Sequence, residues 1–309
     1  MDSLVEQSRR TIEKGSKSFA LAARLFAPRT REGAFLLYAW CRHCDDVTDE
    51  QVLGFRGAAP AAATAADRLA ALERETRRAL AGEAVTEPPF AALQEVVRRH
   101  HIPPRHPLDH LKGFAWDVEG VGYETLDDCC RYCYHVAGVV GVMMAYVMGA
   151  QGEDTLDRAS DLGLAFQMTN IARDVMDDAA AGRVYLPGEW LREAGVPPDE
   201  IARPEHRDAV HSVAVRLLDE AEGYYASARV GVARLPLRSA WAVATAGRVY
   251  RDIGRLVRER GARAWDQRAS TGRGRKLALA MVGAADAVLS RHGTGREPAP
   301  RSGLWTRPR

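Results

Sequence analysis

Nine stretches of this chain repeat apolar residues at intervals of three and four: 3–26, 31–50, 65–81, 88–100, 126–150, 155–178, 206–229, 237–262 and 274–291. That spacing gives an α-helix one buried face. Breakers rich in Gly and Pro separate the stretches: "GFRGAAPAAA" at 54–63, "GEAVTEPP" at 82–89, "IPPRHP" at 102–107, "GVPPDE" at 195–200 and "LPLR" at 235–238. No series alternates as half-buried strands do, and the strand-like scrap "RVYLP" at 183–187 reads as a loop. No break resembles an interdomain linker, and no repeat has a solenoid period. The expectation is a single all-α domain over 1–291. The remainder, 292–309, "HGTGREPAPRSGLWTRPR", is basic and rich in Pro and Gly and is expected to be disordered.

Within this helical pattern, "CRHCDDVTDE" at 41–50 packs Asp45, Asp46, Asp49 and Glu50 into six positions. Like charges one turn apart repel, so a positive partner is implied. At about 100° per residue, Tyr38, Arg42, Asp45 and Asp49 share one stripe, with Asp46 towards its edge. "NIARDVMDDA" at 170–179 repeats the arrangement: Gln167, Asn170, Asp174 and Asp178 share a stripe. Each helix thus carries Asp-x-x-x-Asp on one face. Hard divalent cations take oxygen ligands, and Mg²⁺ commonly pairs one or two carboxylates with substrate phosphate oxygens. Two such helices face to face suit a cluster of metal and diphosphate. A diphosphate neutralised in this way departs readily from an allylic prenyl chain, leaving a carbocation that needs a dry, apolar cavity. The Gly- and Ala-rich run 136–150 would give such a cavity a smooth wall.

The chain's bulk properties narrow the alternatives. Lys and Arg number 43 and Asp and Glu 41, a net charge of +2. That balance, without a basic patch interleaved with aromatics, argues against nucleic acid. The N-terminus is polar and amphipathic, neither signal peptide nor membrane span, and the apolar run 136–150 is too short and Gly-rich to cross a bilayer comfortably. A cytoplasmic protein is expected. Five cysteines include two Cys-x-x-Cys pairs, Cys41/Cys44 and Cys130/Cys133. A zinc site built from both is a rival reading, but both pairs sit inside helical patterns, where buried free cysteine is common.

The stretches "GSKSFA" (15–20), "LYAWCRHCDDVTDE" (37–50), "RYCYHVAGVVG" (131–141), "GLAFQMTNIARDVMDDAAAGRVYLPGEWL" (163–191), "LPLRSAWAVATA" (235–246) and "VYRDIGRLV" (249–257) resemble the squalene/phytoene synthase family, in order and through nearly the whole chain. The resemblance implies a bundle of antiparallel helices around a central cavity, the class I isoprenoid synthase fold. It implies head-to-head condensation of two geranylgeranyl diphosphates, through prephytoene diphosphate, to phytoene and two diphosphates, with Mg²⁺ or Mn²⁺. By position it makes Asp45, Asp49, Asp174 and Asp178 metal-binding acids, with Asn170 and Gln167 as amides beside the second pair. Arg42 matches a diphosphate-binding arginine, and Tyr38, Tyr132 and Tyr250 match tyrosines lining the site. Ser16, Ser18 and Phe19 match a substrate-contacting element near the entrance, and Arg268 matches a phosphate contact. Val136, Ala137, Val140 and Gly141 match the tunnel wall. Asp177 stands where many relatives have Glu, which keeps the charge.

A C15 head-to-head synthase of the squalene or dehydrosqualene type, acting on farnesyl diphosphate, is the nearest rival. An elongating synthase would show a second Asp-Asp-x-x-Asp, and a cyclase an Asn-x-x-x-Ser-x-x-x-Glu pattern; the helix reads "NIARDVMDD" instead. A non-catalytic helical protein would have lost acids from a stripe, and none is lost. No cofactor loop of the G-x-G-x-x-G kind is present. The proton-accepting base stays open between a tyrosine and the released diphosphate, and so do chain-length preference, product geometry and oligomeric state. Since substrate and product are lipids, peripheral contact with a membrane is expected, and the basic tail is a candidate for it.

Overall fold

The computed structural model describes residues 2–48, 51–52, 55–56, 64–292 and 301–309. Its axis is α9 (Glu153–Ala180), which packs against α8 (Val139–Val147), α11 (Arg207–Val232) and α12 (Leu237–Arg260). On the other side of the cavity, α3 (Pro28–Thr48) packs on α1 (Asp2–Gly15) and α5 (Pro88–His100), and α4 (Ala65–Leu80) joins α5 and α6 (Arg105–Glu119). A core of Leu36, Trp40, Leu93 and Met143 holds this N-terminal half together. A second core of Tyr134, Leu164, Met168, Leu191 and Leu217 holds the half built on α9 and α11. A hairpin pairs Gln51–Val52 with Phe55–Arg56, antiparallel, and is the only β-structure among the described residues.

The first periodic stretch, expected as one helix over 3–26, divides at Ser16. Ser16 Oγ accepts from Phe19 N–H at 3.3 Å and caps α2 (Lys17–Ala23). The stretch 102–107 breaks the chain, but α6 begins inside it, at Arg105, and sequence periodicity did not reveal this helix. Pro107 lies in the first turn of α6, where N–H groups have no partner within the helix to lose. The stretch 126–150 becomes α7 (Leu126–Cys133), a π turn at Tyr134–Gly138, and α8. A π turn adds a residue to the helical circuit and is common at functional sites.

The glycines of that stretch serve close packing. A Cβ on Gly141 would collide with the carbonyl of Ala159, and one on Gly163 with the carbonyl of Ala137. α8 and the π turn therefore lie backbone against backbone on α9. α10 (Gly188–Glu193) follows the loop at 183–187, and α13 (Arg273–His292) covers α12 from outside. No described helix is long and apolar enough to cross a membrane.

Residues 301–309 correct the expectation of a disordered tail. Arg301 donates to both oxygens of Asp161, Nε at 2.7 Å and Nη2 at 2.8 Å. Arg307, only 2% exposed, pairs with Asp157 at 2.8 Å and with Glu153. Trp305 packs its ring 5.5 Å from that of Tyr134. The composition offers few apolar residues, but its arginines meet carboxylates buried on α9, an attraction that the sequence pattern does not display. Residues 293–300 lie outside the described part.

Candidate active site

A cavity of about 580 Å³ runs between the two halves. Fourteen of the residues expected at the site line it: Phe19, Tyr38, Arg42, Asp45, Tyr132, Val136, Ala137, Val140, Gly141, Gln167, Asn170, Asp174, Asp178 and Tyr250. Ser16 and Arg268 line an adjoining pocket of about 450 Å³, which shares Asn170, Arg173 and Tyr250 with the cavity. Asp49 and the side chain of Ser18 lie outside the described residues.

One end of the cavity is polar because α3 and α9 turn their acidic stripes towards it. On α3, Arg42 holds Asp46 from Nε at 2.9 Å and approaches Asp45 at 3.7 Å. On α9, Arg173 Nε donates to Asp174 at 2.7 Å and Arg268 Nη2 donates to the same carboxylate at 2.9 Å. Burial, and next the charge of Asp174, push the Asp178 carboxyl up to about 7. Asn170 Nδ2 donates to Gln167 Oε1 at 3.2 Å, while Asn170 Oδ1 is buried without a partner. Such an orphan acceptor costs free energy unless a ligand satisfies it.

The rest of the wall is apolar. The π turn and α8 contribute Val136, Ala137, Val140 and Met144; α12 contributes Ala242, Val243 and Ala246; α2 contributes Phe19 and Ala22. Between the apolar wall and the acids stand aromatic rings. Phe166 stacks on Tyr250 with centroids 4.1 Å apart, and Phe19 lies 6.3 Å from Tyr38 and 6.2 Å from Tyr250.

Three residues of the site were not read from the sequence. Asp117, on α6, accepts from Tyr132 Oη at 3.1 Å and from Tyr185 Oη at 3.0 Å. The two phenol rings stack, 4.8 Å apart and 16° from parallel. Asp117 and Tyr185 both line the cavity, as does Arg173. The helix that carries Asp117 was hidden by Pro107 in its first turn and by Pro103 and Pro104 before it. Arg173 sits off the acidic stripe on a helical wheel, and only its long side chain brings it back to Asp174. Burial holds the Tyr132 hydroxyl well above the usual phenol range, and burial likewise raises Tyr250 and carries Tyr38 to about 12.

The cysteines are free; Cys44, Cys129, Cys130 and Cys133 are buried in the helix cores. Among the described residues, no three or more His, Cys, Asp or Glu side chains converge as a ready metal cage. The site offers instead carboxylate and amide oxygens on two facing helices, all hard donors, with Arg173 and Arg268 both donating to Asp174. That donor set, with its orphaned carbonyl, fits a divalent cation that shares its shell with phosphate oxygens.

The sequence model of the squalene/phytoene synthase family matches residues 12–275. The chain is 54% identical to a 15-cis-phytoene synthase of Pantoea ananas over 306 residues, 99% of this chain and 98% of that one. It is 52% identical to a 15-cis-phytoene synthase of a Paracoccus strain over 310 residues, 100% of this chain and 99% of the other. Among solved structures it is similar to a ligand complex of a dehydrosqualene synthase, with a TM-score of 0.81, 27% identity and coverage of 92% of this chain and 96% of that one.

Proposed function

The chain belongs to the squalene/phytoene synthase family, and from that footing we infer how its cavity carries out phytoene synthesis from two geranylgeranyl diphosphates. The carrying observation is the polarity of the cavity: acids and amides at one end, a hydrocarbon wall along the rest. Diphosphates belong at the polar end and prenyl chains along the wall. The relatives named phytoene synthase favour the C20 substrate over the farnesyl alternative.

Asp45, Asp174, Asp178 and Asn170 would hold Mg²⁺ or Mn²⁺, with Asp49 one turn beyond Asp45 in the sequence pattern. When bound, the metal neutralises the departing diphosphate and so lowers the cost of ionisation. Arg42, Arg173 and Arg268 supply donors to the phosphate oxygens, and Arg173 and Arg268 must release Asp174 to do so. The first ionisation leaves an allylic cation, whose C1 bonds to the double bond of the second chain; loss of a proton closes the cyclopropane of prephytoene diphosphate. Its own ionisation, rearrangement and loss of a second proton give phytoene. The rings of Phe166, Tyr250 and Phe19 line the cavity, and a cation formed beside them would be attracted to their faces in dry surroundings.

The phenols near the reacting carbons are poor bases, because a phenol is protonated at neutral pH and burial raises Tyr132, Tyr38 and Tyr250 further. The released diphosphate is then the better proton acceptor, and the phenols position it or the cation. Asp117 fixes the orientation of Tyr132 and Tyr185 through its two hydrogen bonds. Both substrate and product are lipids, so the reading includes peripheral contact with a membrane.

The test is incubation of purified protein with geranylgeranyl diphosphate and Mg²⁺, without NADPH, and mass analysis of the apolar extract. A C40 hydrocarbon is expected, lost with EDTA and in Asp45→Ala and Asp174→Ala. Turnover of farnesyl diphosphate alone would move the chain to the C15 branch.

A further inference from the structure

An amphipathic helix in a water-soluble bundle normally turns polar residues outward. α13 does the opposite. Between Leu277 and Leu289 every exposed residue is apolar: Leu277, Met281, Val282, Val288 and Leu289, with alanines between them. Leu277, Met281 and Leu289 are each about two-thirds exposed, at 68%, 65% and 66%. At about 100° per residue these positions span an arc of roughly 140°. The opposite arc, with Leu279, Gly283 and Ala287, packs on α12. The only carboxylate of α13, Asp286, lies off the apolar arc and is bound by Arg248, with Nη2 to Oδ1 at 2.7 Å. Cations stand at both ends, Arg273 and Lys276 before the apolar arc, with Arg275 beside them on Asp252 at 3.1 Å, and Arg291 after it.

We propose that the outer face of α13 lies in the headgroup region of an anionic bilayer. An exposed apolar arc bounded by Arg and Lys is the composition of a helix that lies in a membrane interface, where apolar residues enter the acyl boundary and cations meet lipid phosphates. The position of the helix is consistent with this use. Arg291 donates to the carbonyl of Leu235, which sets the end of α13 beside the half-exposed Leu237. Arg238 donates to the carbonyl of Leu25 at 2.9 Å and ties that corner to the turn after α2, whose Phe19 and Leu21 are also exposed. Phe19 lines the cavity as well. An apolar path thus leads from the membrane face to the place where prenyl chains enter. The tail does not serve this purpose, because Arg301, Arg307 and Trp305 are engaged on α9, Tyr134 and Tyr224.

This proposal rests on the lipid substrate inferred above and specifies the surface that meets the lipid. The experiment is flotation of the full chain with phosphatidylcholine vesicles that do or do not contain phosphatidylglycerol. Wild type should float with the anionic vesicles and detach in high salt. The triple variant Leu277→Glu, Met281→Glu, Leu289→Glu should lose at least about tenfold in bound fraction, since three apolar anchors become charges. Its melting temperature, and its turnover of substrate supplied in detergent micelles, should match wild type. Equal flotation of variant and wild type would overturn the proposal, as would failure of wild type to float. A wild-type dimer that the variant dissolves to monomers, without vesicle binding by either, would assign the face to a second copy instead. Turnover in micelles is read separately, so loss of the phytoene reading is not confused with loss of this one.

Discussion

At the scale of single residues, the site crowds buried groups of like charge. Asp178 titrates near 7 because burial and Asp174 both oppose its charge. A carboxyl raised in the folded state gives stability that is fully present below its unfolded value near 4 and is lost as pH rises through about 7. In metal-free protein, Asp178→Asn should therefore melt at the wild-type temperature near pH 4 and above it at pH 8, by up to about 4 kcal/mol of stability. The same variant should be inactive, and calorimetric scans at both pH values check the sign. Asp117 poses the converse case, since its charge serves two phenols. Asp117→Asn keeps the shape but offers one acceptor oxygen and turns an N–H₂ towards the other phenol. The expectation is a fall in kcat of roughly 100-fold with KM within a few-fold, and steady-state kinetics with geranylgeranyl diphosphate would decide it. The acidic stripes were legible in the sequence because a helical wheel is local geometry. Asp117 was not, because its meaning arises only when α6, α7 and the loop carrying Tyr185 meet.

At the scale of elements, the junction of α8, the π turn and α9 decides the cavity's shape. Gly141 and Gly163 let these backbones touch, so the wall carries the small residues Ala137 and Gly141 where prenyl chains must slide. Gly163→Val would drive a side chain into the Ala137 carbonyl and push the wall apart. Loss of roughly 2 kcal/mol or more is expected, with a lower thermal midpoint and weakened C40 synthesis; an unchanged midpoint would refute the close packing. Sequence periodicity found the elements that bury one clean face, and it missed α6. A proline two residues into a helix has the same letter as a proline that ends one, and only the unpaired N–H groups of the first turn distinguish them. The π turn was equally invisible, since an extra residue in a helical circuit leaves the apolar pattern of 126–150 nearly intact.

At the scale of the whole molecule, residues 301–307 are bound by charge to α9, in the middle of the sequence. Asp157 and Asp161 are buried on α9 and are compensated by Arg307 and Arg301 from the far end of the chain. Removing one partner of a buried pair costs about 3–5 kcal/mol, chiefly because the other charge is left stranded. A chain ending at residue 300 should melt roughly 10 °C lower. Asp157→Asn with Asp161→Asn should restore part of that loss in the truncated chain while lowering the stability of the full one. A truncated chain as stable as the whole would remove the tail from the fold. Composition alone pointed to disorder here, because hydrophobic content measures one kind of burial and ion pairing is another.

That arrangement also has a consequence for how the protein is made. A ribosome delivers α9 long before it delivers Arg301 and Arg307. In the interval, the nascent chain holds two acids on a helix that is ready to pack, with their counter-charges not yet in existence. The bundle can collapse early, but the charges of Asp157 and Asp161 are answered only when residues 301–307 emerge. Closure of the fold is thereby tied to the arrival of residues 301–307, and a chain cut before them would carry two buried, unanswered charges on α9.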